Sequence, residues 1–187
     1  MRTIKKVASH IFIDGFGGMT QGLFATLIIG TMIQQIGLLI GGSTGNVIYL
    51  LGKAAAALTS AGIGVGVAVK YGESPLVTVS AAVAAMVGGY AGKITGGTFF
   101  VDGNAVLAGP GEPLGAFIAG ITCGHLVSGK TKVDIIVTPV ITIGAGSVVG
   151  LLVGPPISQM MTGLGSIINW ATEQRPFIMG IVVSVVM

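Results

Sequence analysis

Apolar residues fall along this chain in long runs, not at the alternating positions of a half-buried strand. A helix needs about 20 consecutive apolar residues to cross the hydrocarbon core of a bilayer. Five runs of roughly that kind, free of acidic residues, stand out: Met19 to Ile40, Val47 to Val69, Pro75 to Ala91, the shorter Pro113 to Val127, and Ile135 to Val153. The first ends in the turn-forming stretch Gly41-Gly42-Ser43-Thr44-Gly45-Asn46, and the second in Lys70-Tyr71-Gly72-Glu73. A sixth run starts at Pro176 and is cut off at Met187, too short to span.

Composition supports this reading. Of 187 residues, 52% are hydrophobic and 8% charged, whereas a soluble domain carries about 25% charged residues to wet its surface. The 33 glycines lack a G-X-Y period, which excludes collagen. The net charge of +3 is spread thinly, so no clustered basic face offers itself to nucleic acid. Cys123 is the single cysteine, which rules out an intrachain disulfide or a cysteine-based metal site. Nothing in the pattern calls for a cofactor. The first apolar run is too long for the core of a cleavable signal, so the first helix itself acts as the insertion signal.

The basic residues orient the runs. Cytoplasmic loops hold the Lys and Arg excess, and with the N-terminus inside, Arg2, Lys5, Lys6, Lys70, Lys130 and Lys132 all fall on that side. Lys93 and Arg175 fall outside, and Lys53 lies within a run, where its long stem can snorkel to water.

Two segments break the pattern. From Gly92 to Glu112 the chain is glycine-rich and only moderately apolar, reading either as an outer loop or as a re-entrant segment lining a polar cavity. From Gly154 to Arg175 it reads as a proline-started amphipathic helix at the outer face, with Trp170 as an interfacial anchor. Gly146, Gly150 and Gly154 recur at helical spacing, as do Gly120 and Gly124, and would let helix backbones approach closely. Gly62, Gly64 and Gly66 have period two, which reads as a thin, kinked or broken section.

Few residues carry candidate chemistry. Glu112, between Pro110-Gly111 and Pro113 at the mouth of a run, is placed for a carboxylate to accept hydrogen bonds from sugar hydroxyls, with Asp102 and Asn104 as similar cases. A plain loop carboxylate is the competing reading. His125 is ionisable near membrane depth, which makes it a candidate for ligand or proton handling, although Lys130 and Lys132 follow closely. Residues 124–131 match the phosphate-loop pattern G-x-x-x-x-G-K-[ST]. An apolar run precedes them where a strand is required, so they read as a span ending in a positive turn. Cys123 reads as a small packing residue. Thr138 offers a hydroxyl beside the backbone break at Pro139. His10 and Asp14, four residues apart, suit a local pair on a helix leading into the membrane. No metal set forms from two histidines so distant in sequence.

From about Pro113 onward the order of residues resembles enzyme IIC, the membrane subunit of the bacterial phosphoenolpyruvate-dependent sugar phosphotransferase system. The resemblance rests on Pro113-Leu114-Gly115-Ala116-Phe117-Ile118-Ala119-Gly120, on Lys132-Val133-Asp134-Ile135-Ile136-Val137-Thr138-Pro139-Val140, and on Val149 through Val153 leading into Gly154-Pro155-Pro156-Ile157. It is similar to the fructose-type branch and, more closely, to the group that includes the perfringolysin regulator. Gly18-Met19-Thr20-Gln21-Gly22-Leu23-Phe24-Ala25 matches that second group.

The resemblance implies a permease that binds a sugar in the membrane and presents it to a cytoplasmic IIB partner bearing the phosphoryl group, with no nucleophile of its own. Family members run to nearly twice this length, so the chain is expected to be an N-terminal part or to take its missing spans from a second chain.

The expected architecture is an all-α polytopic membrane bundle of one domain, in the bacterial inner membrane with the N-terminus cytoplasmic. It comprises a cytoplasmic lead-in (1–18), three spans (19–91), an irregular or re-entrant segment (92–112), two spans (113–153), an outer amphipathic segment (154–175) and a truncated span (176–187). Its partners are sugar, a IIB-type donor, lipid and a second copy or chain. Glu112, Asp102, Asn104 and His125 are the candidate sugar-binding residues. A non-transporting membrane regulator or ligand sensor of the same fold is the second reading, favoured by the scarcity of acidic and aromatic residues. A small-solute channel is the third.

Overall fold

The computed structural model describes residues 10–98, 100–101, 104–105, 109–121 and 134–174. The chain is helical apart from one two-residue antiparallel pairing. Helix α1 (Ile13–Ile40) is followed by α2 (Gly42–Ala57) and α3 (Thr59–Lys70), then α4 (Pro75–Gly89) and the short α5 (Ala91–Thr95). Strands β1 (Phe100–Val101) and β2 (Asn104–Ala105) pair Phe100 with Ala105 and Val101 with Asn104. Helices α6 (Pro113–Ile121) and α7 (Asp134–Gln174) complete the order.

The chain does not form the expected five full spans. Among the described residues, two helices are long and apolar enough to cross a membrane, α1 and the Ile135–Ile167 part of α7. A third is reached only by counting α2 and α3 as one span bent by 51°. The 15-residue α4 is about 22 Å long, short of the roughly 30 Å hydrocarbon core. Only nine residues of the fourth expected span lie in α6; the rest, and the partial span after Pro176, lie outside the described residues. Hydropathy misled here because these runs owe their apolar character to glycine and alanine buried against other helices. Ala81, Ala84, Ala85, Ala116 and Ala119 are fully buried, facing protein rather than lipid.

Helix α1 and the α2–α3 pair form a long antiparallel hairpin held by glycines that leave no room for a side chain. Gly18 lies against Gly66, Gly22 against Gly62, Gly30 against Gly52, and Gly37 against Gly45 and Tyr49. A Cβ on Gly18 would sit 2.5 Å from the Gly66 carbonyl oxygen. This close backbone approach is how membrane helices associate where no hydrophobic driving force exists between them. Gly41, at φ 66°, makes the reversal that joins α1 to α2.

The register of the hairpin accounts for the bend. Eight residues separate Gly22 from Gly30 on α1, but ten separate Gly52 from Gly62 on the returning side. The surplus is taken up at Leu58, where the helix breaks. At that level α1 itself carries a π-helical turn, Phe24–Ile28, with Thr26 Oγ1 donating to the Gly22 carbonyl. The broken section inferred from Gly62, Gly64 and Gly66 therefore lies just N-terminal to them. Those glycines face two ways: Gly62 and Gly66 meet α1, while Gly64 meets Ala81 and Ala85 of α4.

Helix α3 is the centre of the bundle, packed against the first half of α1, α4 and α6. The core there joins Ile63, Val67, Ala85, Ala116 and Phe117, with Met19, Leu23 and Tyr71 against it. The Phe16 and Phe117 rings stand 4.8 Å apart, within the range of a favourable aromatic pair. Helix α4 opens on a cap: the Ser74 hydroxyl accepts from the Val77 N–H at 3.4 Å, with Pro75 preset for the first helical position.

The 41-residue α7 runs through Pro139, Pro155 and Pro156 without stopping at Gly154. Gly150 seats against Gly88 and Ala119, Gly154 against Ala91, and Ser158 against Gly92. Two members of the expected close-packing glycine series thus make such contacts; Gly120 approaches Gly64, and Gly124 lies outside the described residues.

Candidate functional site

A cavity of about 250 Å³ opens where the end of α4, the start of α6 and the middle of α7 converge. Its lining is Gly89, Gly92, Lys93, Pro110, Gly111, Glu112 and Ser158. The three side chains with hydrogen-bonding groups among them reach it from separate elements: Glu112 precedes α6, Lys93 lies on α5 and Ser158 on α7.

Local sequence places Glu112. Pro113, with no N–H to lose and φ preset, starts α6, so the residue before it caps the helix. The Glu112 carbonyl accepts the Ala116 N–H at 3.0 Å, and its own N–H donates to the Gly89 carbonyl at 2.6 Å. The positive end of the α6 dipole lies next to this residue and favours a negative charge there. Gly111 reaches the position through φ 71°; a Cβ there would run into Ser60 Oγ and crowd the Gly89 carbonyl.

Lys93 is held beside Tyr90, its Nζ 5.2 Å from the ring centroid, at cation–π distance. The Tyr90 ring is buried, and its hydroxyl reaches the carbonyls of Gly109 and Ala57. Ser60, fully buried on α3, donates to the Pro110 carbonyl at 3.0 Å. Ser158 lines the wall because the small Gly92 lets α7 approach α5; a Cβ on Gly92 would stand 2.7 Å from Ser158 Oγ.

Chemically, the opening offers a carboxylate that accepts, an ammonium that donates and a hydroxyl that does both. That set suits a polar ligand rich in hydroxyl groups.

Of the four residues expected from the sequence, Glu112 lines this cavity. Asn104 stands on β2, while Asp102 and His125 lie outside the described residues. So do Cys123 and the G-x-x-x-x-G-K-[ST] stretch at 124–131. Sequence reasoning missed Ser158, Ser60 and Tyr90, and gave Lys93 only a topological role. The available signal was the hydroxyls of Thr59 and Ser60 within an apolar run, both fully buried.

The profile of the family described as "Phosphotransferase system, EIIC" matches residues 13–187. No curated protein and no solved structure matches the chain.

Proposed function

The chain belongs to the EIIC family of the phosphotransferase system, and from that premise we propose that it is a sugar permease subunit, which binds its sugar at the Glu112 cavity and presents it to a cytoplasmic IIB-type phosphoryl donor. The observation that carries this reading is the meeting of Glu112, Lys93 and Ser158 in one opening, in a membrane protein otherwise almost bare of charge. Glu112 accepts from sugar hydroxyls, Lys93 donates to ring or hydroxyl oxygens, and Ser158 does either. Asp102, Asn104 and His125 stay candidate sugar-binding residues in this proposal. The N-terminus lies on the cytoplasmic side, following the distribution of Lys and Arg. The chain supplies binding and access, and the phosphoryl group stays on the IIB partner. A second copy or a second chain packs beside it in the membrane.

The test is thermal unfolding of the purified, detergent-solubilised protein with a panel of sugars, with Glu112→Gln in parallel. A ligand that binds the folded state alone adds about 2.7 kcal/mol of stability at one hundred times its Kd. One sugar is expected to raise the unfolding temperature saturably, and Glu112→Gln to shift that rise to a much higher, still measurable, sugar concentration. Absence of a shift with every sugar transfers the weight to a non-transporting regulator of the same fold. Single-channel conductance in a planar bilayer would favour the small-solute channel.

A further inference from the structure

Resting on that reading of the cavity, we propose that Ser60 and Tyr90 are positioning residues for Glu112, and that through them the break in the α2–α3 helix sets where the carboxylate stands. Neither residue lines the cavity, and both are buried. Their action on a ligand is therefore transmitted through the loop that carries Glu112.

The break at Leu58 interrupts the helical ladder and frees carbonyls that need donors. Leu58 N–H donates to Ala55 O at 3.2 Å and Thr59 Oγ1 to Ala56 O at 2.6 Å. At Ala57 O a donor arrives from another element, the Tyr90 hydroxyl at 3.2 Å. The same hydroxyl reaches Gly109 O. A phenol has one proton, so the helix break and Gly109 of the loop share a single donor, and a shift of either changes the bond left for the other.

Ser60, the second residue of α3, grips the next residue of the loop by donating to Pro110 O. Two residues on, Glu112 N–H is fixed to Gly89 O, next to Tyr90 in sequence. The loop is thus held at Gly109, Pro110 and Glu112. The intervening Gly111 is pressed on Ser60 Oγ, and Gly89 on the same side chain, with no space for a Cβ at either. Such an arrangement fixes the backbone of Glu112 before any ligand arrives, which is what preorganisation of a binding group requires.

Amide hydrogen exchange on the full chain in detergent, with sugar titrations on the same preparations, tests this. The variants are Tyr90→Phe, which keeps the ring beneath Lys93, Ser60→Ala, Glu112→Gln and the Tyr90→Phe/Glu112→Gln double. Amides of residues 109–116 are expected to exchange about tenfold faster in either clamp variant, while those of the α1–α2 hairpin stay unchanged. The Kd for the sugar that stabilises the unmodified protein should rise about tenfold, or about 1.4 kcal/mol, and the double variant should bind no more weakly than Glu112→Gln alone.

Unchanged exchange over 109–116 in both clamp variants overturns the proposal, as does full additivity in the double variant. If Tyr90→Phe loosens the whole chain, the smaller change Ser60→Ala decides. If the unmodified protein binds no sugar, the permease reading fails, and the exchange of the ligand-free loop still decides whether the clamp exists.

Discussion

Replacing Gly18 by alanine tests the hairpin at its tightest register. The added Cβ would lie 2.5 Å from the Gly66 carbonyl oxygen and 2.7 Å from both Gly66 C and Val67 Cα, about 1 Å inside the optimum separation of carbon atoms. All three obstacles are backbone, so no rotamer change relieves them and α1 must move off α3. Overpacking of this kind costs about 1–3 kcal/mol. Against it stands the better helix propensity of alanine, about 1 kcal/mol, leaving a net loss of roughly 0–2 kcal/mol by these two principles. Gly163→Ala on α7 is the matched control: nothing lies within 4 Å of its Cβ, so the propensity gain stands alone. Unfolding in mixed detergent–SDS micelles, followed by circular dichroism, ranks the two against the unmodified protein. Gly18→Ala should fall below it and Gly163→Ala at or above it. If Gly18→Ala equals or exceeds the stability of Gly163→Ala, the backbone contact between α1 and α3 does not exist and the register argument for the bend fails with it.

Gly111→Ala combines a residue forced to φ 71° with a Cβ against Ser60 and Gly89. The left-handed conformation alone costs about 1–2 kcal/mol, so a lowered thermal midpoint is expected, larger than for Gly97→Ala, where φ is also positive but the surroundings are open. Ser74→Ala removes the α4 cap and should cost about 1 kcal/mol, read as faster amide exchange over the first turn of α4 with α7 unaffected. Tyr71, in the turn after α3, has its phenol raised above the usual value by burial and then by the charge of Asp14. The folded state therefore holds this proton more tightly than the unfolded chain, and the stability it contributes is full below pH 10 and lost as pH rises through the folded value. In a series of thermal midpoints from pH 8 to 11, Tyr71→Phe should flatten the alkaline decline; an identical decline in both proteins would refute the assignment.

What the sequence disclosed and what it concealed divide along a physical line. Counting only residues free of acidic neighbours starts the first span at Met19, with His10 and Asp14 on a helix leading into it, whereas the apolar helix itself begins at Ile13. In the fold Asp14 sits inside a π-helical turn, His10–Gly15, and the helix continues through it. Proline misleads in the opposite sense: Pro155-Pro156 reads as the start of a new segment, whereas α7 runs through both. Seated by Gly150, Gly154 and Ser158 against α4 and α5, α7 draws on tertiary packing that offsets the lost hydrogen bonds. The break falls at Leu58, four residues before the Gly62-Gly64-Gly66 series that reads as kinked or broken, and its exact place has no local signal. Ala-Ala-Ala-Leu-Thr-Ser contains neither glycine nor proline, and the bend arises from a mismatch in glycine register between two helices, which no local propensity reports.

The candidate site shows the same division one level up. Glu112 stands out in the sequence as one of the few carboxylates, set between two prolines at the edge of an apolar run, and the fold places it in the cavity wall. Ser60 and Tyr90 do not, because each is an ordinary residue in its own segment: Ser60 is one of several helix hydroxyls, and Tyr90 ends an alanine-rich helix. Their importance lies in bonds across 50 and 19 residues of sequence, to Pro110 and Gly109. Such bonds require the helix break to bring α3 under the loop. The break is thus more than a packing accident. It frees the Ala57 carbonyl, draws the Tyr90 hydroxyl between two acceptors, and leaves the position of Glu112 dependent on the geometry of a helix that the cavity never touches.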